Sequence, residues 1–150
     1  MNVVRRLLLV RAGAAALALG LLAPIRALAA WSKDAFAAKK ADDALKSLGA
    51  SGAEPSKDIV IEAPQIAENG AVVPIEIAST VPGTTSIAVL IEKNPYPLAG
   101  KFDFMEGALP FVKLNVKMAE TSEVRVVASA GGKHYVATRE IKVTIGGCGG

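Results

Sequence analysis

The sequence predicts a mainly β protein, an immunoglobulin-like β-sandwich of about seven strands with an N-terminal helix before it and a flexible Gly-Cys arm after it. Three observations predict this. Beyond residue 58, apolar side chains recur at every second position in run after run. Glycine, proline, asparagine and serine clusters punctuate those runs at short intervals. The stretch before them is spaced as a helix instead, and the last five residues, Gly-Gly-Cys-Gly-Gly, offer nothing to bury.

Residues 1–29 are set apart first. Arg5, Arg6 and Arg11 make a basic start, 12–25 is an apolar run of Ala, Leu and Gly, and Ala27-Leu28-Ala29 is a small-x-small cleavage signature. That order is a secretory signal peptide, and the apolar run is too short to cross a hydrocarbon core of about 30 Å as a helix. The adjacent Arg5 and Arg6 point to the twin-arginine route. Export places the mature chain in the periplasm, with no membrane association once the signal is removed. Four of the 17 Lys and Arg residues and none of the 14 acidic ones lie before residue 31, so the mature chain carries −1. The sequence pI of about 9.1 is a property of the leader, and no nucleic-acid patch follows from it.

Residues 30–57 read as a helix and a linker. Ser32 is placed to cap the N-terminus, Asp34 suits the positive first turn, and Gly49 ends a single helix over 32–48. Ala37, Ala41, Leu45 and Leu48 make one weakly apolar stripe along it. Trp31 reads as a residue that docks this helix. The Gly, Ala, Ser and Pro content of 49–57 marks a linker.

The sandwich is expected over 58–145. A short strand starts at Ile59. Val73, Ile75 and Ile77 form the next, where Pro74 argues for an edge or a bulge. Ile87, Val89 and Ile91 make one apolar face, and Phe102 with Phe104 another. Val112, Leu114, Val116 and Met118 alternate with Lys113, Asn115 and Lys117, the pattern of a sheet with one wet face. Val124, Val126 and Ala128 continue it. Gly131-Gly132 reads as a two-residue hairpin turn, which needs positive φ. The last run puts Tyr135, Ala137, Ile141, Val143 and Ile145 on one face. Arg139 falls on that apolar side and is expected at a bulge or an interface, because an unpaired buried guanidinium is costly. His134 is the only histidine and reads as a solvated surface residue, since no second ligand stands at metal-binding spacing.

Cys148 is the only cysteine, so an exported chain has no intrachain disulfide and carries a thiol free for intermolecular chemistry. Gly146, Gly147, Gly149 and Gly150 around it predict a thin, mobile arm over 146–150 that can enter a narrow channel in another protein. No His or Lys stands near in sequence to activate the thiol. A free cysteine titrates near about 8.5 and is mostly protonated at neutral pH, which suits a carried group better than a catalytic nucleophile.

The terminal Gly-Gly-Cys-Gly-Gly after a Lys-Val-Thr-Ile strand resembles the SoxY family, the substrate carriers of the Sox thiosulfate-oxidation system. Asn94-Pro95-Tyr96-Pro97-Leu98 followed by Phe102 is similar to that family's NPxP-containing segment, and the twin-arginine leader and preceding helix agree. The resemblance covers most of the mature chain. It implies that Cys148 carries thiosulfate-derived intermediates as covalent adducts, with no cofactor and no catalysis by the chain itself. It also implies a heterodimer with the small β-sandwich protein SoxZ, and visits to a c-type heme enzyme that attaches the substrate, a sulfohydrolase and a sulfane dehydrogenase.

Taken by itself, the NPYPL segment reads as a loop stiffened by two prolines. With the resemblance, Asn94, Pro95, Tyr96 and Pro97 become a candidate partner interface. Two other classes use the same residues differently. An exported thiol-redox protein would want a lowered cysteine pKa and a resolving cysteine. A diglycine-tailed sulfur carrier would be activated at the Gly150 carboxylate, a chemistry that needs ATP and leaves Cys148 without a role.

Overall fold

The computed structural model describes residues 31–144. The expected signal peptide and Ile145 to Gly150, Cys148 among them, lie outside the described residues.

Two short helices, α1 (Lys33–Ala37) and α2 (Ala41–Ser47), precede nine strands: β1 (Glu54–Pro55), β2 (Ile59–Glu62), β3 (Ile66–Ala67), β4 (Val73–Ser79), β5 (Thr84–Ile91), β6 (Leu98–Asp103), β7 (Phe111–Val116), β8 (Ser122–Ala130) and β9 (Lys133–Val143). The larger sheet runs β1-β9-β8-β5-β6, with β3 also on β9, and the smaller runs β2-β4-β7. Every pairing is antiparallel except those of β1 and β3, which lie parallel to β9 at its two ends. The seven strands of four residues or more make the expected immunoglobulin-like sandwich.

Alternation builds the core between the sheets. Ile59, Ile61, Val73, Ile75, Ile77, Val112 and Val116 from the small sheet meet Ile87, Val89, Ile91, Val124, Val126, Ala128 and Ile141 from the large one. Met118 joins them just past the end of β7. Pro74 sits where its neighbours allow it. β4 is central, but its pairing with β2 stops at Glu76, so Pro74 has a sheet partner only on β7, at Asn115. Gly131 and Gly132 adopt φ of 56° and 77°, closing β8 onto β9 as a two-residue turn that other residues adopt only with strain.

Two expectations are corrected, and one strand proves more deeply placed than its pattern required. The single helix over 32–48 is two helices, because Ala38 and Lys40 are extended (ψ 141° and 143°). A continuous helix at about 3.6 residues per turn would point Ala35 about half a turn away from Ala44 and about a third of a turn from Ala41. The break lets all four reach the sheet, and it leaves Ala37, assigned to the stripe, exposed. The caps are as expected: the Ser32 hydroxyl accepts from Ala35 N–H at 3.4 Å. At the far end the Gly49 and Ala50 N–H groups close onto the Lys46 and Leu45 carbonyls, at 3.0 and 2.8 Å, with Gly49 at φ 70°.

The linker is not wholly free either, since Glu54–Pro55 pairs with Tyr135 and Val136 of β9. Finally, β5 is buried on both faces. Ile87, Val89 and Ile91 face the other sheet, while Ala88 and Leu90, with Leu98 and Val127, receive Ala35, Ala41, Ala44 and Leu45. The helices are therefore a third layer on the outside of the large sheet.

Candidate functional site

The site is built around the end of β9, from which the cysteine-bearing segment departs. Val143 N–H donates to the Thr121 hydroxyl at 2.9 Å on one side. On the other, Thr144 N–H donates to the Ala67 carbonyl at 3.1 Å and its hydroxyl donates to the Glu68 carbonyl at 2.9 Å. β9 is thus fastened on both edges at its last described residue. Two-residue β3 has a clear purpose in this light, because it supplies one of those edges.

The NPYPL loop joins β5 to β6 and lies at this same end. Its closure is the Ile91 N–H to Pro97 carbonyl bond at 2.8 Å, with Asn94 N–H turning back to the Ile91 carbonyl at 3.1 Å. The Asn94 side chain then reaches across to the β7–β8 connection: its amide nitrogen donates to the Lys117 carbonyl at 2.6 Å and its oxygen accepts from Ala119 N–H at 3.0 Å. Lys93 N–H donates to the Ser122 hydroxyl at 3.0 Å. Residues 117–122 therefore hold the loop with Lys117, Ala119 and Ser122, and hold β9 with Thr121. Met118 N–H donates to the Gly70 carbonyl at 2.7 Å, which adds the β3–β4 loop to the same end.

Four residues were assigned to one interface, and they divide. Asn94 and Pro97 hold the loop, Pro97 being buried, whereas Pro95 and Tyr96 are on the surface. Tyr96 is 54% exposed, and the Lys39 ammonium stands 3.4 Å from its ring centroid, a cation–π contact between the α1–α2 junction and the loop. A hydrogen bond and the charge of Lys39 draw the Tyr96 phenol below its ordinary pKa.

A second tie runs beneath the first. Arg125 of β8 lies 2.8 Å from an Asp42 oxygen on α2 and 2.7 Å from Glu92 Oε1 at the start of the loop. The Glu92 approach is an ion pair without hydrogen-bond alignment, and Oε1 is buried with no other partner. Burial pushes the Glu92 carboxyl above its usual range. Arg125 opposes this, while the negative charges of Asp42 and Glu123 add to it.

Other residues singled out in the sequence stand elsewhere. His134 is half-buried beside the Gly131-Gly132 turn, its Nδ1 2.9 Å from the Ser129 hydroxyl, so it has a protein partner as well as solvent. Tyr135 packs at the margin of the core. Arg139 reaches across the sandwich and donates to the Ile61 and Ala63 carbonyls of β2 and its extension, at 2.9 and 2.7 Å. Trp31 is 67% exposed and stacks on Phe36, centroids 5.7 Å apart, so it covers the helix without being enclosed by it. Among the described residues no group of three or more His, Cys, Asp or Glu is placed to hold a metal, and no helix is long and apolar enough to cross a membrane.

Sequence reading missed Thr121, Ser122 and Lys39. Each is an ordinary polar residue whose partner lies far along the chain, or across a loop, and no local spacing marks it.

Residues 45–148 match the family described as "Sulfur oxidation protein SoxY", a span that runs to the cysteine. The solved structure of the sulfur carrier protein SoxY from Chlorobium limicola f thiosulfatophilum is similar over 75% of this chain and 99% of its own, at 44% identity and a TM-score of 0.65. An engineered protein of known structure is 14% identical over 58% of this chain and 20% of its own; its TM-score of 0.40 carries no argument. No curated protein matches.

Proposed function

Because the chain belongs to the SoxY family, we propose that it is a periplasmic sulfur-substrate carrier that holds thiosulfate-derived intermediates covalently on Cys148 and presents them to partner enzymes. The observation that carries this reading is the family match ending on Cys148, four residues beyond Thr144, where the end of β9 is fastened on both edges. Four residues of extended chain span at most roughly 14 Å, so the reach of the arm is set from Thr144.

The chemistry asked of this chain is limited. Joining thiosulfate to the Cys148 thiol forms an S–S bond and releases one proton and two electrons, which a c-type heme enzyme accepts. The chain supplies the thiol and its delivery, and the enzymes supply activation, so the carrier has no catalytic residue and needs no cofactor. Gly146, Gly147, Gly149 and Gly150 keep the segment thin enough to enter an active-site channel. The exposed Pro95 and Tyr96 are placed to meet whichever protein receives the arm. A SoxZ-like small β-protein is the proposed stable partner, covering strand edges that would otherwise invite association.

Intact mass analysis of the protein from its native periplasm tests the proposal. Sulfur or sulfonate adducts should sit on Cys148 and leave on treatment with a thiol reductant. Cys148→Ser should lack them and should not support thiosulfate oxidation, with folding unchanged. Unmodified protein throughout active thiosulfate oxidation would refute the assignment. Normal export of an Arg5→Lys/Arg6→Lys precursor would refute the twin-arginine route alone.

A further inference from the structure

The loop held at the arm end carries charges that holding it does not require. Lys39, Lys93 and Lys117 come from three separate segments: the α1–α2 junction, the β5–β6 loop and the residue after β7. The fold gathers them around the same few residues. Lys93 adjoins Asn94, whose side chain donates to the Lys117 carbonyl, and the Lys39 ammonium stands over the Tyr96 ring. All three lysines are exposed, as are Pro95 and Tyr96.

Among the described residues every ion pair is made by Lys101, Lys113 or Arg125, so no carboxylate neutralises these three ammonium groups. Glu92, the acid at the start of the loop, is already engaged by Arg125. Glu120 is the one acidic residue of the 117–122 connection, and Glu68 stands on the opposite edge of β9. Three lysines against Glu120 leave two positive charges in excess, on a mature chain whose net charge is −1. The loop that bears them is fixed beforehand by the two Asn94 bonds, so little freedom is lost when it meets a partner. At its centre is an exposed tyrosine, a residue type that anchors interfaces. An unneutralised positive rim of this kind draws in an acidic surface and speeds the encounter.

We propose that Lys39, Lys93 and Lys117 around Tyr96 form the surface on which the carrier meets its enzymes, and that those enzymes present acidic residues around the channel that admits the arm. This rests on the carrier reading. The charges act at the encounter, before the thiol enters, so they set how often the arm is delivered and leave the chemistry at Cys148 unchanged.

Loading of Cys148 from thiosulfate by the purified c-type heme enzyme, followed by intact mass of the full mature chain, tests the proposal. Added salt should slow loading at low carrier concentration and leave the saturating rate unchanged. Lys93→Glu with Lys117→Glu should lower kcat/KM by about tenfold, leave kcat alone and flatten the salt dependence. Lys57→Glu with Lys133→Glu is the control. It changes the net charge equally at the opposite end, where Lys57 precedes β2 and Lys133 opens β9, and kcat/KM should stay close to the parent's. Cys148 should alkylate with iodoacetamide at the parental rate in both variants, which separates slow delivery from a damaged arm. A carbodiimide, which joins an amine to a carboxylate as an amide and takes up the water released, should link Lys93 or Lys117 to Asp or Glu of the enzyme. Parental kcat/KM in the Lys93/Lys117 variant overturns the proposal, as do equal losses in the two variants or cross-links confined to other lysines. In each of those cases Cys148 still loads and the carrier reading stands. A parent chain that never acquires an adduct defeats the carrier reading, and the proposal with it.

Discussion

The Asn94 side-chain oxygen accepts a hydrogen bond from the Ala119 backbone N–H at 3.0 Å, across 25 residues of sequence. With the Lys117 carbonyl taken by the same side chain, one amide fills two backbone valences of the β7–β8 connection. Asn94→Ala leaves both unpaired in a half-buried position and should cost about 1–3 kcal/mol, from two bonds of ordinary net worth. Denaturant titration measures it. Asn94→Asp keeps the acceptor but loses the donor to Lys117, and should fall between the two.

Arg139 should matter more than its place toward the end of a partly exposed strand suggests. Its two bonds to the Ile61 and Ala63 carbonyls tie β9 to β2, which share no sheet ladder. Arg139→Ala should destabilise by about 2–4 kcal/mol, given charge-assisted bonds and two carbonyls left without partners. Faster amide exchange along β2 than along β8 is the local readout. Arg139→Lys should recover only part, since an ammonium does not reproduce the two-pronged guanidinium.

Glu92 gives a pH dependence of definite sign. Its carboxyl titrates above the usual glutamate range in the folded chain, chiefly through burial. Between the unfolded and folded values the native state holds the extra proton, so this group's contribution is most favourable in acid. It is lost as pH rises through the folded value. Glu92→Gln removes that loss while keeping the shape. Stability of the variant relative to the parent should therefore increase from pH 4.5 upward and then level off, measured by thermal or urea unfolding across pH. A relative stability that falls as pH rises would mean that the Arg125 pairing outweighs burial.

The arm makes a separate prediction. Gly146→Val with Gly147→Val adds branched Cβ atoms that thicken the segment and narrow its backbone freedom. Cys148 should still alkylate at the parental rate with small reagents, whereas turnover with the partner enzymes should fall severely. Full turnover by this variant would show that the glycines serve no steric purpose.

Much of the protein was legible in the sequence because it rests on local rules. Alternation in 112–118 and 124–128 placed those strands and their inward faces, since a strand side chain's direction is fixed by its neighbours two residues away. Ser32, Gly49 and Gly131-Gly132 marked two caps and a turn through backbone preferences that each residue carries with it. Cys148 among four glycines, joined to the NPYPL segment, was enough to suggest the family that the chain's match then established. Tertiary structure decided what depends on residues far apart. The helix breaks at 38–40 because Ala35 and Ala44 must both meet a sheet face that local spacing does not reveal, and Pro74 is tolerated because β2 ends opposite Glu76. The NPYPL loop and the β9 terminus share one end of the sandwich because Asn94, Lys93 and Val143 all bond to a connection that ends at Ser122. Those bonds form only after the two sheets have packed, and nothing in the spacing of any one segment encodes them.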